Sequence, residues 1–311
     1  MRLAPPTLAY NLELLKIPPA RGTENDHGWC YGLPPGITQS QWPLSPFCGY
    51  PMQPGFTIRV PEQYRTQGPD FVALSLFADQ QHDEPVEVEA IAEYFRADTQ
   101  GRPDDPNLLP FWSYKQNRHP MEFCMAEDAM GRSFAAIWLT EAEFAGPLCQ
   151  PPRLAGNPLL RQNPPPPWIE KGSARAVFEL QIGSYDAIEE IEKKDWYRVF
   201  GQVPEIGHRA YAIGVSLREG DPNVGKAPRD QHLHQNDMGD YVAPFSPAAE
   251  PFDLKRLFGR NHFGGTMFPE QWTPKYGPSY LEFEEHFGGF NFGGGNAQLD
   301  LETMAFEWAC G

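Results

Sequence analysis

The chain has 311 residues, 41% apolar and 13% aromatic, and its 41 acidic against 25 basic side chains give a formal charge of −16. Such a length accommodates one large domain or two small ones and needs no disulfide or metal scaffold to hold a core. The charge disfavours nucleic acid and anionic membranes as partners and favours a basic protein. No apolar run approaches the ~20 residues of a membrane span. The first nineteen residues lack the continuous apolar stretch of a secretion signal, so the expected compartment is the cytoplasm.

Thirty-four prolines and 29 glycines argue for strands joined by structured loops rather than a helical bundle, since proline is near twice its usual share of about 5%. Cys30, Cys48, Cys124, Cys149 and Cys310 form no Cys-x-x-Cys pair and read as small, buried or half-buried thiols.

In chain order, a helix is weighed over Leu8–Lys16, followed by strands at Phe56–Val60 and Phe71–Phe77. Ile91, Tyr94 and Phe95 at helical spacing predict a helix over Val86–Ala97, and a strand follows at Phe134–Leu139. The segment 150–168 holds Pro151, Pro152, Pro158 and the run Pro164–Pro167. A proline run stiffens into polyproline II, which makes this segment either a boundary between two sub-halves or a long surface loop of a single unit spanning 1–311. Beyond it come a strand at Val177–Ile182 and a helix at Tyr185–Phe200, with Ser184 as N-cap. Four more strands are expected at Tyr211–Leu217, Tyr280–Glu284, Ala297–Leu301 and Met304–Trp308. Alternation in Tyr280–Glu284 assigns Leu281 and Phe283 to a core and Glu282 and Glu284 to a wet face. The predicted class is α+β: β-rich, with mostly antiparallel twisted sheets and few helices. Gln41-Trp42-Pro43 and Gln271-Trp272-Thr273-Pro274 hint at internal duplication.

The chemistry-bearing motifs are weak. Gly220–Ala227 follows a strand and nearly spells a phosphate-binding loop, but Ala227 replaces the metal-holding hydroxyl and no amphipathic helix follows. A charged loop is the better reading. His232 and His234, two residues apart with Asp230, Asp237 and Asp240 nearby, form a weak candidate metal pair in a polar stretch. Nucleophile elbows and Ser-x-x-Lys pairs are absent, and Gly293–Gly295 lacks dinucleotide-loop spacing. No cofactor is expected.

Gly32-Leu33-Pro34, Trp42-Pro43 and Pro51-Met52 near the start are similar to the opening of the YwqG-like family of bacterial proteins. Phe263-Gly264-Gly265, Gln298-Leu299-Asp300 and Phe306-Glu307-Trp308-Ala309-Cys310 resemble its close. About a third of the chain carries the resemblance. It implies an α+β fold with duplicated sheet elements and brings over no catalytic residue. Family members lack an established activity, and some resemble partners of secreted toxins. The expected function is therefore a non-enzymatic protein-binding protein, in its sharpest form a bacterial immunity protein neutralising a basic toxin. The expected contacts are Glu87, Glu89 and Glu93 near the first helix and Glu282, Glu284 and Glu285 on a late strand. The alternatives are a metal-dependent hydrolase using His232 and His234, and a small-molecule-binding domain with an aromatic pocket.

Overall fold

The computed structural model describes residues 4–79, 87–97, 101–125, 133–154, 156–161, 163–183, 196–230 and 239–311. Among them, eleven strands form one antiparallel sheet: β1 Tyr10–Leu14, β2 Gly28–Tyr31, β3 Gln53–Arg59, β4 Phe71–Ala78, β5 Glu122–Met125, β6 Phe134–Thr140, β7 Ala210–Leu217, β8 Asn261–Phe263, β9 Tyr280–Glu284, β10 Asn296–Asp300 and β11 Phe306–Ala309. Their order across the sheet is β11-β10-β9-β8-β1-β7-β2-β3-β4-β6-β5. The fold is thus β-rich with few helices. Strands from both sides of segment 150–168 share the sheet, because β7 pairs with β1 on one side and β2 on the other.

The sheet curls around its own inner face. Leu12, Phe56, Leu76, Trp138, Ile213, Leu281 and Leu299, drawn from seven strands, belong to one buried cluster. Its two ends nearly meet, with the Phe134 ring of β6 4.5 Å from Phe306 of β11 and Trp138 Nε1 donating to Met304 Sδ at 3.2 Å. A bulge interrupts the β3–β4 register between Pro54 and Phe56. There Gly55 leaves room for the Phe290 ring; a Cβ would sit 2.1 Å from that ring. A second cluster, containing Trp29, Trp42, Phe77, Ile137 and Trp168, covers the outer face of β2 to β6.

Five α-helices lie wholly within the described residues: α1 Glu89–Arg96, α2 Leu109–Asn117, α3 Glu141–Phe144, α4 Pro167–Lys171 and α5 Ser173–Gly183. The helix predicted over Val86–Ala97 is α1, with Ile91 and Tyr94 buried. Two other expectations are corrected. Leu8–Lys16 contains strand β1, whose register against β7 and β8 satisfies its backbone. Val177–Ile182 lies within α5, where Ala174, Val177 and Phe178 meet the core at helical spacing. Most of Tyr185–Phe200 lies outside the described residues, although 196–200 are helical. No described helix is long and apolar enough to cross a membrane.

Candidate functional site

Two polar regions stand out, one sealed and one open. The sealed one begins with Arg218, just past β7 and only 2% exposed. Its Nε donates to Asp221 Oδ2 at 2.9 Å, its Nη1 to Asn11 Oδ1 at 2.7 Å, and its Nη2 to the carbonyls of Leu257 and Thr266. Asp221 also accepts from Asn223 N, Thr266 N and Thr266 Oγ1. Burial alone would raise its pKa, but those donors and the guanidinium together hold it below the ordinary range. This is where Gly220–Ala227 goes. Asp221 and Asn223 anchor the loop inward, and Lys226 turns to Asp240.

Beside it, His262 and Glu282 face each other across β8 and β9, 0% and 2% exposed. His262 Nδ1 lies 2.7 Å from the Gly264 carbonyl, and Nε2 lies 3.0 Å from Glu282 Oε1. A carbonyl only accepts, so Nδ1 carries a proton. The remaining contact then needs a second proton between Nε2 and Oε1. The pair therefore holds two protons and no net charge. Burial pushes the Glu282 carboxyl up to about 8 and the His262 imidazole well below its usual value, so the proton resides on Glu282. Phe268 N and Gln298 Nε2 donate to the same carboxyl.

The placement of Glu282 corrects the wet-face reading of β9. Tyr280 and Glu282 point away from the barrel interior, yet residues 264–268 cover that face, where the Tyr280 hydroxyl donates to the Gly265 carbonyl and Phe268 N donates to Glu282. Glu284 is half-buried, and burial together with Glu282, Glu270 and Glu285 pushes it up to about 7. Glu285 is half-buried and closes a turn by accepting from Phe292 N and Gly294 N. Glu87, Glu89 and Glu93 are exposed on or beside α1, with Glu87 paired to Arg96 at 3.0 Å. His232, His234 and Asp237 lie outside the described residues. The cysteines are all free; burial pushes Cys48 up to about 12 and Cys149 to about 11. Cys124 is likewise held near 11 by burial and the Glu122 carboxylate, against the pull of Arg118.

The open region is a groove of about 760 Å³ between residues 39–51, 150–154, 165–169 and 208. The Trp-Pro turn leads to its lining residues Tyr50 and Pro51, with Leu44 bridged to Pro51. Trp42 is fully buried, stacks on Trp168 at 5.8 Å, and donates Nε1–H to the Met52 carbonyl. Ser45 accepts from Phe47 N and Cys48 N and bonds the buried Asp79, which folds 45–50 into a tight loop carrying Tyr50. The far wall is the proline-rich segment. It is pinned where Cys149 N meets the Pro34 carbonyl, at buried Leu160, and where the Tyr50 hydroxyl donates to the Asn163 carbonyl. Pro51, Pro151, Pro152 and Pro165 line it with Tyr50, Leu154 and Ile169; Gln39, Gln150, Arg153 and His208 supply its polar side chains.

A close backbone approach seats His208. Gly172, at φ +83°, ends α4 against Gly207, whose carbonyl oxygen would lie 1.8 Å from a Cβ there. Gly207 N donates to the Lys171 carbonyl. The His208 Nδ1 is sealed and has no hydrogen-bond partner, and burial lowers the ring's pKa. A sealed N–H without an acceptor is rarer than an unfilled lone pair. We therefore assign the neutral tautomer with its proton on Nε2, the polar atom left for the groove. Among the described residues, nothing pairs with the Arg153 guanidinium, and no Asp or Glu lines the groove. Sequence reasoning found the Trp-Pro turn and the proline segment but not that they face each other; Arg153 and His208 carry no motif.

No family model, curated protein or solved structure matches the chain.

Proposed function

We propose that the protein acts by binding, and that its binding face is the lobe formed by the groove and α1. The observation that carries this is the groove: a rigid concavity within the size range of ligand sites, with polar groups left without intramolecular partners. Rigid walls lower the ordering cost of association. Tyr50, Ile91, Tyr94 and Ile169 share one cluster, so the groove lining and the acidic helix belong to the same lobe. A basic protein partner fits the chain's −16 charge and the exposed Glu89 and Glu93. The sharper form, an immunity protein neutralising a toxin in the cytoplasm, draws its support from that charge and from the YwqG-like resemblance. The same resemblance implies duplicated ends; their tryptophans differ, Trp42 being sealed and Trp272 73% exposed.

The test is capture of partners from native lysate by the wild type and by a Leu154→Trp variant that fills the groove, followed by kinetics on the purified partner. A single basic protein, lost with Leu154→Trp or with Glu89→Lys/Glu93→Lys, supports the reading. A captured protein indifferent to both changes argues against this lobe. A second reading, a small-molecule site, is favoured by the free donors of Arg153 and His208.

A further inference from the structure

We propose that the groove is a receptor for a small organic carboxylate, whose apolar body lies between Pro151, Pro152 and Ile169 and whose carboxylate meets Arg153 and the Nε2–H of His208. This rests on the small-molecule reading of the groove and adds the class of its ligand.

The chain carries 41 acidic side chains, yet none of the described groove residues is acidic, and the one formal charge there is a guanidinium without a partner. Guanidinium groups match carboxylates through two parallel N–H donors. The His208 tautomer adds a third donor, because its sealed Nδ1 leaves the proton on Nε2. Tyr50 offers little competition, since its hydroxyl is spent on the Asn163 carbonyl at 2.8 Å, which leaves its ring as apolar wall. Proline rings contribute apolar surface and no N–H. A cationic ligand would meet Arg153 as a like charge, and a neutral one would leave the guanidinium's charge uncompensated. A carboxylate on an apolar body satisfies both the donors and the walls, and the ~760 Å³ of space admits a compact molecule with room for water.

The probes are phenylacetate, its uncharged isostere phenylacetamide, and a short peptide ending in phenylalanine with a free carboxylate, each titrated calorimetrically into the full-length chain. Phenylacetate should bind about tenfold or more tighter than the amide, as expected when a charge-assisted hydrogen bond replaces a neutral one. Arg153→Gln should erase that preference, His208→Phe should weaken it, and Leu154→Trp should abolish binding of both. Equal binding of acid and amide, unaffected by Arg153→Gln but lost with Leu154→Trp, overturns the carboxylate class while leaving the groove as a site. Acid binding that survives Leu154→Trp overturns the groove itself. Binding of the peptide alone overturns the small-molecule source in favour of a chain terminus. No heat from any probe at millimolar concentration overturns the carboxylate assignment.

Discussion

Arg218 and Arg153 are the same residue put to opposite uses. Around Arg218 the fold supplies an acceptor for each direction of the guanidinium: a carboxylate, a side-chain amide oxygen and two carbonyls. Around Arg153 it supplies proline rings and leaves the guanidinium to solvent. The histidines repeat the contrast. His262 has both ring nitrogens engaged, whereas His208 has one sealed nitrogen without a partner and one facing the groove. A buried polar group that is fully satisfied rigidifies a fold, and one left short costs stability that only another benefit offsets. The difference separates a region that holds the sheet together from one free to bind.

The contrast can be broken from the sheet end first. β10 carries Gln298 of the sealed region on one face and Leu299 of the barrel core on the other. Deleting 297–311 removes Leu299, Leu301 and Phe306, of which the two leucines are fully buried; each fully buried side chain of this size contributes about 1.5–3 kcal/mol. The truncated chain should be insoluble or unfold without cooperativity, which circular dichroism during urea denaturation would report. Next in size is Arg218→Met. It strands Asp221 in the interior and should cost about 3–5 kcal/mol. Arg153→Met should stay within about 0.5 kcal/mol, as surface changes do. Similar losses in both, measured from urea midpoints, would remove the distinction between the two regions.

A third prediction uses pH. The Glu282 carboxyl titrates near 8 when folded, above its usual 4.5, so the folded chain holds that proton more tightly than the unfolded chain. The resulting stability is fully present below about 4.5 and is lost as pH rises through about 8. Glu284, held near 7, acts with the same sign. Burial depresses His286 to about 4 from 6.5, and it works on the other flank: its contribution is present above 6.5 and fades as pH falls through 4. Stability should therefore decline between about pH 6.5 and 8 and level off above that. Glu282→Gln should flatten that decline, because the amide retains an acceptor for Phe268 N and an N–H for His262. Urea titrations across this range decide it. An unchanged slope in Glu282→Gln would mean that Glu282 is ionised in the folded state.

Much of the sheet was legible because its strands are apolar or alternating runs of strand length. β3, β4, β6, β7, β9, β10 and β11 each overlap a predicted run. β2 and β8 were not, having only four and three residues. The short apolar run Val177–Ile182 suits a strand or a buried helix equally, and contact with the core decides for α5. Glu282 shows the limit of the period-2 rule. Alternation correctly separates Glu282 from Leu281 and Phe283, but says nothing about whether a second layer covers the polar face. The groove was illegible for a related reason. Its walls lie over a hundred residues apart in sequence, and proline and tryptophan announce turns and packing without naming what they enclose.

The smallest expected effect concerns α1, and it sharpens the comparison by removing stability from it. Glu87, Glu89 and Glu93 are all exposed, but they are not equivalent. Glu87 meets both terminal nitrogens of Arg96, at 3.0 and 3.2 Å, so part of its field is already cancelled. Glu89 lies in the first turn of α1, where a negative charge gains a few tenths of a kcal/mol from the helix dipole. Glu93 lies in the helix interior, and nothing in the described residues forms an ion pair with it. Glu93→Lys should therefore leave the urea midpoint nearly unchanged, and Glu89→Lys should lower it slightly. If a basic partner docks on this lobe, both changes should slow its association several-fold. The slowing should fade as salt is raised, since exposed charges act over a Debye length of about 8 Å at physiological ionic strength. Glu87→Gln should do less, because Arg96 already cancels part of the Glu87 charge. Stopped-flow association rates across a salt series would separate the three. Equal effects of Glu87 and Glu93, or rates indifferent to salt, would show that the acids of α1 serve solubility rather than recognition.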